Sequence, residues 1–165
     1  MLAAEALGMR NAPETLPALI SLLEDGDLWV RATAARGLGA IGGETAGKVL
    51  TMYLEAATDI FLLSIVEALG RCVYPPAQEK LSGLIGNPDP EVRKTALTVL
   101  SAYTGQAVDR IVIASLSDPH WSVRKAAIEA LKLKRDPRAE SLLEAMSRID
   151  PDTAVRRAAQ EALGT

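Results

Sequence analysis

The chain offers few residues whose type and spacing could do chemistry. It holds one cysteine, Cys72, one histidine, His120, and one glycine-rich hexad, Gly37-Leu38-Gly39-Ala40-Ile41-Gly42. The hexad satisfies G-x-G-x-x-G, in which glycines let a strand turn sharply into a helix and bring backbone amides against a pyrophosphate. Asp59 follows at about the distance at which an acidic ribose contact is sought. That chemistry needs a strand before the glycines and a helix opening on them. Here a helical pattern precedes them, so they read as helix-ending residues that permit left-handed geometry. With one histidine there is no histidine pair for a metal, and His120 in a turn reads as solvated or capping. Beside it, Trp121 is an accessible contact point for a partner. Cys72 lies three residues past a recurring leucine, a packing place, and only Arg71 is near enough in sequence to lower its pKa, so it reads as a buried thiol. Lys132, Lys134 and Arg135 gather at a helix end, where cations complement the helix dipole. Acidic residues recur at turns and on helix exteriors, and none pair for acid-base work. The reading assigns no catalytic residue, cofactor or metal.

Composition agrees. Hydrophobic residues make up 48% of the 165 but aromatics only 4%, so the apolar share is mostly Ala, Leu, Val and Ile, a helix builder's set. A net charge of -3 gives no basic excess for a phosphate backbone, which argues against nucleic acid. Apolar stretches such as Ile60 to Val66 are far shorter than the roughly 20 residues that span a bilayer. No basic leader with a hydrophobic run follows Met1, and one cysteine fits a reducing cytoplasm.

Internal repetition organises everything else. A closing leucine falls at Leu7, Leu38, Leu69, Leu100, Leu131 and Leu163, at steps of 31, 31, 31, 31 and 32. Val30, Ala34 and Leu38 lie four residues apart, as do Val123, Ala127 and Leu131, so each copy is a helix with one apolar stripe. Second helical patterns lie between the copies, at Glu14 to Glu24, Thr45 to Ala57, Ala77 to Ile85, Gln106 to Leu116 and Arg138 to Ile149. Pro13, Pro76 and Pro137 suit first turns, and Asp25-Gly26-Asp27, Asn87-Pro88-Asp89, Asp118-Pro119 and Asp150-Pro151-Asp152 end one helix and cap the next.

The expected organisation is one domain over 1–165. It comprises a half-repeat at about 1–11 (Leu2 to Gly8), then pairs at 12–42, 43–73, 74–104, 105–135 and 136–165. Neither end reads as a polar cap, so the chain is expected to be part of a longer protein or to self-associate through its terminal repeats.

Asp118-Pro119-His120-Trp121-Ser122-Val123-Arg124-Lys125-Ala126-Ala127 resembles the HEAT-like repeats of the phycobilisome lyase type, as does essentially the whole chain. The resemblance implies an all-α, right-handed α-α superhelix, armadillo-like, with first helices on the convex side and second helices on the concave side. It also implies a ladder in which the arginine beside each core valine bridges to the aspartate of an inter-helix turn. Matching residues are Arg31, Arg93, Arg124 and Arg156, with Asp25, Asp118, Asp150 and Asn87 in one aspartate's place. In the second pair Leu62 and Ala56 replace both members, which reads as one rung lost whole.

On this reading the concave face carries the residues one before the core valine and two, three and six after it. Trp29, Thr33, Arg36, Ile60, Leu63 and Glu67 form the N-terminal patch, joined by Lys94; Glu91, Lys125, Glu129, Arg157 and Glu161 make the later face charged. Exposed apolar area with Trp and Arg marks an interaction site. The expected function is a non-enzymatic scaffold holding a segment of another protein, an amphipathic helix or hydrophobic peptide. The alternative, carried by the resemblance alone, is a bilin lyase or chromophore-handling subunit. Nucleic acid and membrane are not expected partners.

Overall fold

The computed structural model describes residues 13–134 and 136–164, so the half-repeat from Leu2 to Gly8 lies outside the described residues. All regular structure among them is helical. Ten α-helices run in order: α1 (Leu16–Leu22), α2 (Leu28–Ile41), α3 (Gly43–Tyr53), α4 (Asp59–Cys72), α5 (Gln78–Gly83), α6 (Pro90–Leu100), α7 (Gln106–Ser115), α8 (Trp121–Lys134), α9 (Ala139–Ile149) and α10 (Thr153–Leu163). Three short 3-10 segments, Pro13–Thr15, Pro75–Ala77 and Leu84–Gly86, complete them. The all-α repeat class is the one expected.

The turns explain why the helices start where they do. Asp27, Asp89 and Asp152 cap α2, α6 and α10 by accepting the amides of Trp29, Glu91 and Ala154 at 2.7, 2.8 and 2.8 Å. Two residues earlier, Asp25, Asn87 and Asp150 accept the amides of those caps at 2.8, 2.9 and 2.8 Å, closing an Asx turn. At α8 the Asx turn is kept by Asp118 with the His120 amide at 2.8 Å, but the cap is an imidazole, whose Nδ1 lies 3.4 Å from the Ser122 amide. The lone histidine is thus a helix cap. Before α4, Ala56 offers no acceptor, Thr58 makes no side-chain cap, and Asp59 sits at a φ of 53°.

The chain divides into two compact units, residues 1–81 and 82–165. In the first, α2 packs intimately on α4, with α1 against α2 and α3 against α4. In the second, α6 lies on α8 and α8 on α10, with α7 and α9 behind them. Within each unit, then, the second helix of one pair neighbours the second helix of the next. The leucines at the 31-residue step, Leu38, Leu69, Leu100 and Leu131, are at most 1% exposed. Gly39 sets the α2–α4 approach: a Cβ there would lie 2.6 Å from both Cα and Cβ of Ala68. This corrects the reading of the hexad, because Gly37 and Gly39 lie inside α2 and only Gly42, at a φ of 70°, has left-handed backbone.

The ladder has a definite register. Each arginine uses Nη1 on the carbonyls of its own turn: Arg93 on Asn87 and Pro88 at 2.9 and 3.0 Å, Arg124 on Asp118 and Pro119 at 2.9 and 3.2 Å. In Arg93 and Arg124, Nε and Nη2 then clasp both carboxylate oxygens of the following turn, Arg93 on Asp118 at 2.8 Å twice, Arg124 on Asp150 at 2.7 and 2.8 Å. Arg156 holds the Asp150 and Pro151 carbonyls at 2.6 and 3.2 Å. Because Arg93 and Arg124 both look forward one turn, Ala56 takes the carboxylate's place for Arg31, so Leu62 and Ala56 are not one rung lost whole. Arg31 keeps its turn contacts, to the carbonyls of Asp25 and Gly26 at 2.8 and 3.4 Å, and stacks 5.5 Å from the Phe61 ring centroid instead of meeting a carboxylate.

Candidate functional site

The candidate surfaces are those of the second helices, taken in each unit by itself. In the first unit Trp29, at the capped start of α2, is 56% exposed, and Ile60 and Leu63 on α4 are half-buried. Glu67 is exposed. Thr33 is not part of that surface. The close α2–α4 approach buries it to 5%, where its hydroxyl accepts from Arg36 Nη2 at 2.9 Å. Arg36 also donates through Nη1 to Ser64 Oγ at 3.1 Å, so it is half-buried as a bridge between the two helices. Ala32 and Ser64, placed outward by the spacing rule, are likewise buried. The rule assumes evenly separated helices, and Gly39 removes that separation.

In the second unit, α6 and α8 enclose an open groove of about 390 Å³. Lys94 and Thr98 of α6 and Ser101 at its C-cap form one wall, and Trp121, Lys125 and Leu133 of α8 line the other. Trp121 is 43% exposed and Leu133 71%, large apolar side chains left in solvent at the two ends of one helix. Of the residues singled out in the sequence, Lys94, Trp121, Lys125 and Glu129 line this groove, with Lys94 Nζ 2.6 Å from Glu91. Trp121 was legible only as a turn residue because Asp118-Pro119-His120 precedes it; in the fold it opens α8. The four-residue spacing of Trp121, Lys125, Glu129 and Leu133 was the available signal.

The reactive groups are elsewhere and subdued. Cys72 is half-buried, and burial pushes its thiol up. Lys134 is tied in: Nζ donates to the Tyr103 carbonyl and lies 3.4 Å from Asp109, pinning α8 to the turn before α7 rather than only facing a helix dipole. Arg135 lies outside the described residues. Asp150 is held below the usual carboxylate range by the Arg124 guanidinium, which outweighs burial. Burial pushes Asp118 up, but Arg93 and the His120 amide together hold it below that range. Among the described residues no helix is long and apolar enough to cross a membrane, and no cluster of His, Cys, Asp and Glu could hold a metal ion.

In comparison with known proteins, residues 1–70 and 81–164 match the family of HEAT repeats. No curated protein matches the chain in sequence. A chain from the complex of CpcE and CpcF of phycocyanin lyase from Nostoc sp. PCC7120 is similar in structure, with a TM-score of 0.73 and 21% identity over 92% of this chain and 99% of that one. A designed armadillo repeat protein in complex with the peptide (KR)4 aligns with a TM-score of 0.63 and 17% identity, over 98% of this chain and 90% of that one. Human deoxyhypusine hydroxylase in complex with glycerol aligns with a TM-score of 0.53 and 20% identity, over 98% and 76%.

Proposed function

This chain belongs to the HEAT-repeat family, and from that premise we propose that it is a non-enzymatic scaffold that holds a segment of another protein along the face of its second helices. The observation that supports this best is the uncovered α6–α8 groove with Trp121 and Leu133 at its ends, since large exposed aromatic and aliphatic side chains at a concavity are the usual anchors of an interface. Trp29, Ile60, Leu63, Arg36 and Glu67 form a second patch in the first unit. Two similar structures are of complexes, CpcE with CpcF and the designed armadillo protein with the peptide (KR)4. On the second helices, lysine and arginine interleave with Glu91, Glu129 and Glu161, which disfavours a nucleic-acid track.

Selection from a displayed library of random peptides tests this. Enrichment of a peptide family whose binding falls about 30-fold or more in Trp121→Ala, with folding retained, is the expected result. Peptides indifferent to both Trp121→Ala and Trp29→Ala, or none at all, would remove the reading. A shifted visible band on adding a linear tetrapyrrole would favour chromophore handling instead.

A further inference from the structure

The groove's chemistry is ordered along one helix. Trp121, Lys125, Glu129 and Leu133 succeed one another at four-residue steps on α8; all four are exposed, and all four line the same cavity. At 1.5 Å per residue each step is about 6 Å and the row about 18 Å. An extended polypeptide returns its side chains to the same side every second residue, about 6.6 Å apart. The two spacings nearly coincide, so alternate residues of one extended segment would meet the four in turn.

The charges in the row are uncommitted. Among the described residues neither Lys125 nor Glu129 joins an ion pair, whereas Lys94 is engaged by Glu91 at 2.6 Å and Arg157 by Glu161 at 2.9 Å. A lysine four residues before a glutamate is the less favourable order on a helix, which weakens any pull between these two and leaves both for an outside partner. On the opposite wall, Thr98 donates its hydroxyl hydrogen to the Lys94 carbonyl at 3.0 Å and Ser101 donates to the Thr98 carbonyl at 2.6 Å. Their oxygens keep lone pairs able to accept amide hydrogens. An extended chain has such amides to offer; a helix, about 10 Å across, has spent its own internally.

Building on the scaffold reading, we infer that the α6–α8 groove takes an extended segment of about seven residues in which an apolar, an acidic, a basic and an apolar side chain occupy alternate positions. The acidic one meets Lys125, the basic one Glu129, and the apolar ends rest on Trp121 and Leu133.

The test uses the whole chain carrying Trp29→Phe, which leaves Trp121 as the one tryptophan of the two in the sequence. The probe is a synthetic peptide with leucine at its first and seventh positions, glutamate at the third, lysine at the fifth and serine between. It should shift Trp121 emission saturably. Lys125→Glu should weaken it about tenfold, and a companion peptide with lysine at both charged positions should bind that variant better than the parent. A peptide with the same four side chains at four-residue, helical spacing should bind more weakly than the probe. Equal or tighter binding of that helical peptide, no response to Lys125→Glu, or no shift with the probe would overturn the inference. Should the displayed library yield Trp121-dependent peptides without the two-residue spacing, the inference fails and the scaffold reading stands. Should nothing bind at either tryptophan, the scaffold reading itself fails.

Discussion

Arg124 joins two turns at once: Nε and Nη2 clasp both carboxylate oxygens of Asp150, while Nη1 holds the carbonyls of Asp118 and Pro119 behind it. Both partners of the ion pair are at most 10% exposed. Removing one end leaves a buried charge and loose turn carbonyls. Arg124→Ala should therefore cost about 3–5 kcal/mol in urea denaturation. Arg31, which meets Phe61 in place of a carboxylate, should cost only about 1 kcal/mol on the same change. Equal costs would show that the carboxylate contributes nothing.

Acid should dismantle these rungs. Asp118 and Asp150 have folded pKa values below the ordinary range, so the unfolded chain binds more protons as pH falls. Their stabilisation is present in full above the unfolded value of about 4 and is lost as pH drops through the folded values. Urea midpoints measured from neutral pH downward should decline below about pH 4, and less steeply in Asp150→Asn. Parallel slopes in parent and variant would contradict this.

The imidazole cap of α8 is a weak substitute for aspartate. His120 Nδ1 reaches the Ser122 amide at 3.4 Å, whereas Asp27, Asp89 and Asp152 reach theirs at 2.7 to 2.8 Å. His120→Asp should raise stability by about 1 kcal/mol, read as a higher melting temperature. An unchanged or lower melting temperature would show that the histidine's contact with Ser122 Oγ, at 2.8 Å, matters more than the cap.

Two glycines make an internal contrast. Gly39→Ala would drive a methyl to 2.6 Å from Ala68 backbone and should cost about 1–3 kcal/mol. Gly83, helical with nothing within 4 Å of its would-be Cβ, should gain roughly 0.5–1 kcal/mol on becoming alanine. Thermal melts of both variants decide it, and a neutral Gly39→Ala would mean that α2 and α4 can separate freely.

What the sequence conveyed followed the range of each signal. Leu38, Leu69, Leu100 and Leu131 lie on a strict period, and a period reports helix pairing without knowledge of three-dimensional neighbours. The partner of Arg31 depended on whether a guanidinium reaches its own turn or the next, a distance that spacing does not encode. Thr33 passed for a surface residue because the Gly39–Ala68 approach is a property of two helices, not of either segment. Trp121 stood out in the sequence as an accessible aromatic, but its place as the first residue of α8 was obscured for a local reason. Asp118-Pro119-His120 reads as a turn running through it, although the turn's own cap is what starts α8 there.

The forward register of the rungs carries a consequence for descent. A mutation at one end of a buried rung strands a charge at the other, so the ends tend to be inherited together unless another group takes up the arginine, as Phe61 does for Arg31: 93 goes with 118, 25 positions on, and 124 with 150, 26 on. Across relatives these positions should covary as a stripe at that offset, each repeat tied to its successor's history.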